Sequence, residues 1–369
     1  MRIVSRYVRD SYLLTFLLTL FVLTFVMCIM VLFRIADPIA MGGSVRLIAT
    51  IFLAGLPAAL GLSIPVSIMT AALLTFGKLS ANGEITAMKS SGIRMLQIMR
   101  QPMIFAALMS VICLYLNTDI VPTSYATRRE ALRQLGTENP MQLIEEGRPI
   151  RDFPGITFYV GGKKDNELQD ILIYQVQKGS PPRTIRAQHG TITSSEDKQN
   201  LIIDLYDVRV DPFYDDKPGP GHASHFPFVI NVAGSSSTNN TPKIKKKSDM
   251  TMDEVVEVYD NIPSFYPGLS DDERDRQRAV LAVEFNKRIV MALACFVFVL
   301  LGAPLATRTH RQETTVGIGI SLGLVFVFYL FIIVAETMTK HPIIQPHLIT
   351  WIPIALAMFL GVRLIRRCD

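Results

Sequence analysis

Residues 73–100, LLTFGKLSANGEITAMKSSGIRMLQIMR, leave one long apolar run and head into another, with a single acid, Glu84, among Lys78, Lys89, Arg94 and Arg100. The question is why so short a polar connection between two membrane-length runs should be a small capped helix holding one carboxylate. Spanning the hydrocarbon core takes about 20 predominantly apolar residues as a helix. Runs free of Asp, Glu, Lys and Arg that meet this need occur at 12–33, 47–76, 101–118, 289–307, 314–335 and 343–362. With 49% hydrophobic residues and a mean hydropathy of +0.32, the chain is no ordinary soluble protein. The reading is six membrane helices, three at each end.

The first run follows Arg2, Arg6 and Arg9, as a secretory signal would. Signal cores are about 7–15 residues long, whereas this run is uncharged for 22 and ends in VLFRIAD, so a retained span is expected. Basic residues near span ends mark the cytoplasmic side. Arg2, Arg6, Arg9, the four cations of 77–100, Arg308, Arg311, Arg363, Arg366 and Arg367 fall on one side. Arg34, Arg46 and Lys340 occupy the short loops of the other. Both termini and the Glu84 loop are therefore expected to be cytoplasmic, and the long segment from about 122 to 288 extracytoplasmic. This topology places much of the net charge of +5, so no nucleic-acid partner is needed.

Within the long segment the periodicity changes. ITFYVGG (156–162), LQDILIYQVQ (168–177), RTIRAQHGTITS (183–194), NLIIDLYDVRVD (200–211) and HFPFVINVA (225–233) are rich in Ile, Val, Tyr and Phe and are separated by turn-forming stretches. They predict an all-β domain, a sandwich or incomplete barrel, with Ile171, Ile173, Val176, Ile202, Leu205 and Phe228 as inner-face candidates. That face would serve equally as a closed core or as an apolar groove. Cys28, Cys113 and Cys295 fall in spans and Cys368 at the cytoplasmic end, so no disulfide is expected in the β-domain. A polar stretch, GSSSTNNTPKIKKKSDM (234–250), reads as a linker. Its Lys243, Lys245, Lys246 and Lys247 suit either solvent or anionic head groups, and Asn239-Asn240-Thr241 fits the short glycosylation pattern.

From Thr251 the pattern is helical. Ser270 and Glu273 form a capping-box signature, and the helix that they start runs without a breaker into the fourth span. The divisions expected are 1–121 (spans one to three, with a small helix at about 82–92), 122–250 (β-domain with connecting segments and linker), 251–288 (connecting helices) and 289–369 (spans four to six).

Catalytic signatures are missing. Gly162-Lys163 and Gly77-Lys78 lack the spacing and hydroxyl of a phosphate-binding loop, and there is no HExxH, paired-cysteine or GxSxG pattern. Neither a metal nor a cofactor is expected. Ionisable residues at membrane depth, usual in ion-coupled transporters, are almost absent; Glu336 sits only at the outer end of the fifth span. Any work on a substrate must then be powered by a partner.

In the opening loop Asn82 reads as an N-cap, Glu84 stands in the first turn where the helix dipole favours a carboxylate, Ile85 and Met88 share a face, and Gly92 is a natural stop. An exposed acid beside apolar neighbours suits docking into a partner's groove. The plainer reading is a glutamate that caps its own helix.

LSIPVSIMTAALLTFGKLSANGEITAMKSSGI resembles the corresponding segment of the lipopolysaccharide-export permeases, the LptF/LptG (YjgP/YjgQ) family, in which a proline-bearing second span leads into G-K-L-x-x-x-x-E-I-T-x-M-x-x-x-G. Pro57, Pro65, Gly77, Lys78, Leu79, Glu84, Ile85, Thr86, Met88 and Gly92 match. So do Arg6-Tyr7, the EFNKRI and LLGAPL segments around the fourth span, Pro346 and Trp351. The resemblance implies an inner-membrane, non-enzymatic permease of an ABC exporter with a periplasmic β-jellyroll-like domain. Its implied partners are a second permease of the same family, a cytoplasmic ABC ATPase dimer, lipopolysaccharide and periplasmic jellyroll bridge proteins. It assigns ATPase coupling to Glu84, with Lys78, Ile85 and Met88 around it, and a phosphate contact to Arg34, with Arg46 and Lys340 as further candidates. Gly319 and Gly323, a GxxxG in the fifth span, fall where the family forms a lateral gate; packing within the chain is the simpler role. Two rival readings are another ABC permease, for lipoprotein release or mechanotransmission, and a membrane receptor with a β-sandwich sensor.

Overall fold

The computed structural model describes residues 2–40, 43–138, 146–147, 149–153, 156–164, 167–175, 183–194, 200–212, 221–231, 245–266, 269–308 and 314–368. Val176, Asn239-Asn240-Thr241, Lys243 and Arg311 lie outside these residues. The helices are α1 (Arg2–Phe33), α2 (Ala36–Ala40), α3 (Val45–Leu53), α4 (Leu56–Ala81), α5 (Glu84–Ser90), α6 (Met95–Tyr115), α7 (Val121–Glu138), α8 (Met252–Asp260), α9 (Ile262–Phe265), α10 (Asp271–Arg308), α11 (Thr314–Thr337), α12 (Pro346–Ile349) and α13 (Ile352–Cys368). Among the described residues six helical segments are long and apolar enough to cross a membrane.

Contacts divide the chain into a helical unit, 1–33, 52–126 and 242–369, and a second unit, 34–51 and 127–241. At the centre of the helical unit is α10, whose most apolar stretch is 78% buried, against 6% for that of α1, which presents most of its apolar surface outward. Residues of α4 are apolar or small on every face, as a helix packed on several sides requires, and α1, α6, α10 and α11 share its core. Tyr12 of α1 donates its hydroxyl to the Ile68 carbonyl (3.3 Å), and Phe16 meets Phe105 edge-on at 5.0 Å. Thr70 donates to Ser321 at 3.2 Å, joining α4 to α11.

The second membrane run is two helices, not one, with a break at Ala54–Gly55 and Pro57 in the first turn of α4. A proline is tolerated there because the first-turn N–H groups have no intrahelical acceptor. The third run continues past its apolar end through a π-turn at Leu116–Ile120 into α7, so residues 121–138 are helical although the run of charges begins at Arg128.

The second unit holds a six-stranded antiparallel sheet in simple order: β1 (Ile150–Phe153), β2 (Ile156–Lys164), β3 (Glu167–Gln175), β4 (Arg183–Ser194), β5 (Asn200–Pro212) and β6 (Gly221–Asn231). One face is a continuous apolar core that includes Phe158, Ile171, Ile173, Ile185, Ile203, Leu205 and Phe228. Ile202 is on the opposite face, because Ile203 takes the inward position.

The sheet carries a seam. Gly161, Asp170, Gln188, Asp207 and Ser224 stand in one row across five strands, and the pairing skips that row. Inward residues on either side are three apart instead of two: Leu168 and Ile171, Ala187 and Gly190, Leu205 and Val208. Each strand therefore shows two consecutive residues outward, which lengthens the outer face and bends the sheet, as bulges do. Asp170 (φ 52°) and Asp207 (φ 51°) adopt the left-handed conformation that absorbs the slip. Beside the seam, on the outer face, Tyr206 stacks on His189 with ring centroids 5.3 Å apart and meets His225 at a tilt, 5.1 Å away.

Candidate functional site

The Glu84 loop is built by two reversals. Helix α4 ends with the Asn82 and Gly83 amides bonded to the Lys78 and Ser80 carbonyls, both at 3.0 Å. Gly83 then turns the chain at φ 73°, and Gly92 turns it again at φ 79°, a backbone region that costs other residues about 1–2 kcal/mol. Between them lies a seven-residue helix, α5. Ser80 donates its hydroxyl to the Thr307 carbonyl at 3.1 Å, which ties this turn to the end of α10.

Asn82 is the C-cap of α4, and Gly83 precedes α5 in the N-cap position that the sequence suggested for Asn82. The asparagine still serves the loop, because its Nδ2 donates to Glu84 Oε1 at 3.1 Å. The Tyr7 hydroxyl of α1 stands beside the same carboxylate. One carboxylate thus ties the turn to α5 and faces the first helix.

Ile85 is buried in the core of the helical unit and Met88 packs against that core. They root α5 in its own protein, so these two side chains serve its internal packing rather than the docking surface the sequence suggested. Lys78 is exposed, as are Thr86, Ala87 and Ser90, while Glu84 is half-buried. Arg34, Arg46 and Lys340 are exposed, and no described carboxylate pairs with any of them. A Cβ added to Gly319 or Gly323 would meet nothing within 4 Å, so the GxxxG is not an internal packing seam in this chain.

A second polar cluster was not legible as such in the sequence. Within EFNKRI, Glu284 accepts from Lys287 Nζ at 2.9 Å and from Arg288 Nε at 3.3 Å. Lys287 Nζ also reaches Glu336 Oε1 of α11 at 2.9 Å, Arg288 Nη2 donates to the Lys247 carbonyl at 3.3 Å, and Asn286 Oδ1 accepts from Trp351 Nε1 at 2.9 Å. The available signal was the spacing of Glu284 three and four residues before two cations, the geometry for pairing along a helix.

Six membrane-length helices with an antiparallel sheet inserted between the third and fourth define a multi-span membrane protein with an inserted β-domain. The family model for the lipopolysaccharide export system permease LptF/LptG matches residues 6–367, and the chain belongs to that family. It is a multi-pass inner-membrane protein of lipopolysaccharide export. Among its relatives is the lipopolysaccharide export system permease protein LptF of Escherichia coli K12, 22% identical over 326 residues, or 84% of this chain and 80% of the relative. The LptF proteins of Escherichia coli O157:H7 and Shigella flexneri match with the same identity and coverage.

Proposed function

We propose that the chain is the non-catalytic permease subunit of an ABC exporter that extracts lipopolysaccharide from the inner membrane and passes it to a periplasmic β-jellyroll bridge. A separate cytoplasmic ATPase dimer supplies the energy, and a second permease of the same family completes the membrane part. The termini and α5 face the cytoplasm, and the β-domain faces the periplasm, in line with the distribution of Lys and Arg. The observation that carries the reading is Glu84, displayed on a short helix that Ile85 roots in the membrane core. Force applied to that helix is delivered to α4 and, through Ser80, to α10. Ile85 and Met88 act in this scheme as anchors that transmit the force, and Lys78 lies beside the docking face.

Arg34, Arg46 and Lys340 are proposed as contacts to lipopolysaccharide phosphates, because exposed cations can pair with phosphate, in the case of arginine bidentately. The open face at Gly319 and Gly323 is proposed to pack against the second permease. The test is to express the chain with its native neighbours, purify it in detergent and ask whether an ATPase accompanies it. Loss of the ATPase in Glu84→Arg, with an unchanged thermal melt, supports the coupling role. Copurification that survives the charge reversal removes Glu84 from the docking surface, and no ATPase under any condition favours a receptor with a β-sandwich sensor.

A further inference from the structure

Residues 284–288 hold three elements at once. Arg288 fixes the Lys247 carbonyl, where the chain rejoins the helical unit; Asn286 holds Trp351 at the start of α13; and Lys287 holds Glu336 near the end of α11. The ion pairs in this cluster differ in kind. Glu284 and Arg288 have side chains only 6% and 4% exposed, so parting them would strand two charges away from water, a large penalty. Lys287 and Glu336 are 22% and 35% exposed. When that bridge opens, Lys287 keeps Glu284 at 2.9 Å and Glu336 meets solvent. Neither charge is left without a partner.

Glu336 is also the one charged residue in α11, TTVGIGISLGLVFVFYLFIIVAET. In a bilayer, lipid tails compete with apolar packing between helices, so there is little hydrophobic force to hold a helix in place, and polar contacts carry the directional hold. The Thr70–Ser321 hydrogen bond is near the other end of α11, fifteen residues before Glu336. Bond and bridge together pin both ends, but only the bridge is at the exposed margin.

We infer that the Lys287–Glu336 bridge is a releasable latch on α11: made, it holds the fifth span against α10, and opened, it frees that end of the span to swing and admit substrate. Glu284–Arg288 stays formed in both states as the fixed post. Lys287 and Glu336 are positioning residues in this scheme, which rests on the exporter reading above.

The test uses the whole permease complex in nanodiscs, in a background with the native cysteines replaced. Spin labels at the exposed positions Leu293 of α10 and Val327 of α11 report the distance between the two helices. Glu336→Gln is expected to shift the distribution to longer distances and Glu336→Asp to restore it. A distribution unchanged by Glu336→Gln overturns the latch. Should Glu336→Gln fail to accumulate, the pair Lys287→Cys and Glu336→Cys, joined by a reducible thiol cross-linker, replaces it. Release of lipopolysaccharide is expected to stop when the link forms and to return with reductant; release that continues through the linked protein overturns the latch. The distances are readable whether or not the complex exports anything. An unmodified complex that releases no lipopolysaccharide overturns instead the exporter reading and the latch's role in it.

Discussion

The hydroxyl of Tyr7, in the first helix, stands beside the Glu84 carboxylate that opens α5. Tyr7 is 50% exposed, so water competes for both groups, and a hydrogen bond between them would contribute about 0.5–1.5 kcal/mol. A double-mutant cycle of Tyr7→Phe and Glu84→Gln, read by unfolding of the purified protein, should return a coupling of that size; zero coupling would mean that the two groups do not interact. Because Tyr7 competes with any outside partner for the same carboxylate, Tyr7→Phe should leave ATPase copurification intact or tighter, in contrast to Glu84→Arg.

Gly161 owes its identity to the seam in the sheet. A Cβ at that position would lie 2.9 Å from both Cβ and Oδ2 of Asp170, the residue opposite it. Gly161→Ala should therefore cost about 1–3 kcal/mol, the usual range for overpacking. Asp170→Gly removes the obstructing side chain and relieves the left-handed strain at φ 52°, so the double variant should be less destabilised than the sum of the two single ones. Strict additivity in thermal or denaturant unfolding would rule out the contact.

The strands were legible because Ile, Val, Tyr and Phe alternate between clear turn residues: β4 spans 183–194 as read, and β5 runs one residue further than expected. The seam was hidden because its mark, inward residues three apart, resembles noise in a short strand. In NLIID, three consecutive apolar residues cannot by themselves say which faces inward, and Ile202 was assigned to the wrong face. Strand β1 has only four residues, two of them charged. Helix α7 is not legible from the apolar run, because charge marks departure from the bilayer and not the end of a helix. The Glu84 motif was visible, but a pattern of apolar residues does not distinguish a helix face that docks outward from one that packs inward, and Ile85 packs inward. Long-range partners such as Lys287 and Glu336, 49 positions apart, leave no local trace.

Acid should loosen the segment that follows the β-domain. Thr251 and Glu254 form a capping box at the start of α8, the backbone N–H of each bonded to the other's side chain at 3.0 and 3.4 Å, and Lys245 donates to the Glu254 carboxylate. Burial works against the charge of Glu254, but the Lys245 hydrogen bond, the Thr251 N–H and the Lys245 charge outweigh it and hold the carboxyl below its ordinary 4.5. The folded value lies below the unfolded one, so the stabilisation is fully present above pH 4.5 and is lost as pH falls through the folded value. The protection factors of α8 amides, with the intrinsic pH dependence of exchange divided out, should fall across that acid window in the native protein and show a flatter profile in Glu254→Gln. Thr251→Ala should cost about 1 kcal/mol at neutral pH.

Glycines in the spans divide by what stands over them, and the division separates fold from assembly. A Cβ on Gly361 would come within 2.9 Å of the Leu300 carbonyl oxygen and 3.1 Å of its carbon, so α13 lies against the backbone of α10. Backbone cannot rotate aside, and Gly361→Ala should lower the melting temperature of the isolated chain through overpacking of about 1–3 kcal/mol. Gly319 and Gly323 have nothing within 4 Å. Substitution there by leucine should leave the melt of the isolated chain almost unchanged, because the new side chains meet only lipid. If this small-residue face instead receives a helix of the second permease, as close approach at GxxxG allows, the same substitutions should weaken copurification of the pair while sparing the fold. A pair that forms normally with leucine at both positions would place the permease interface elsewhere.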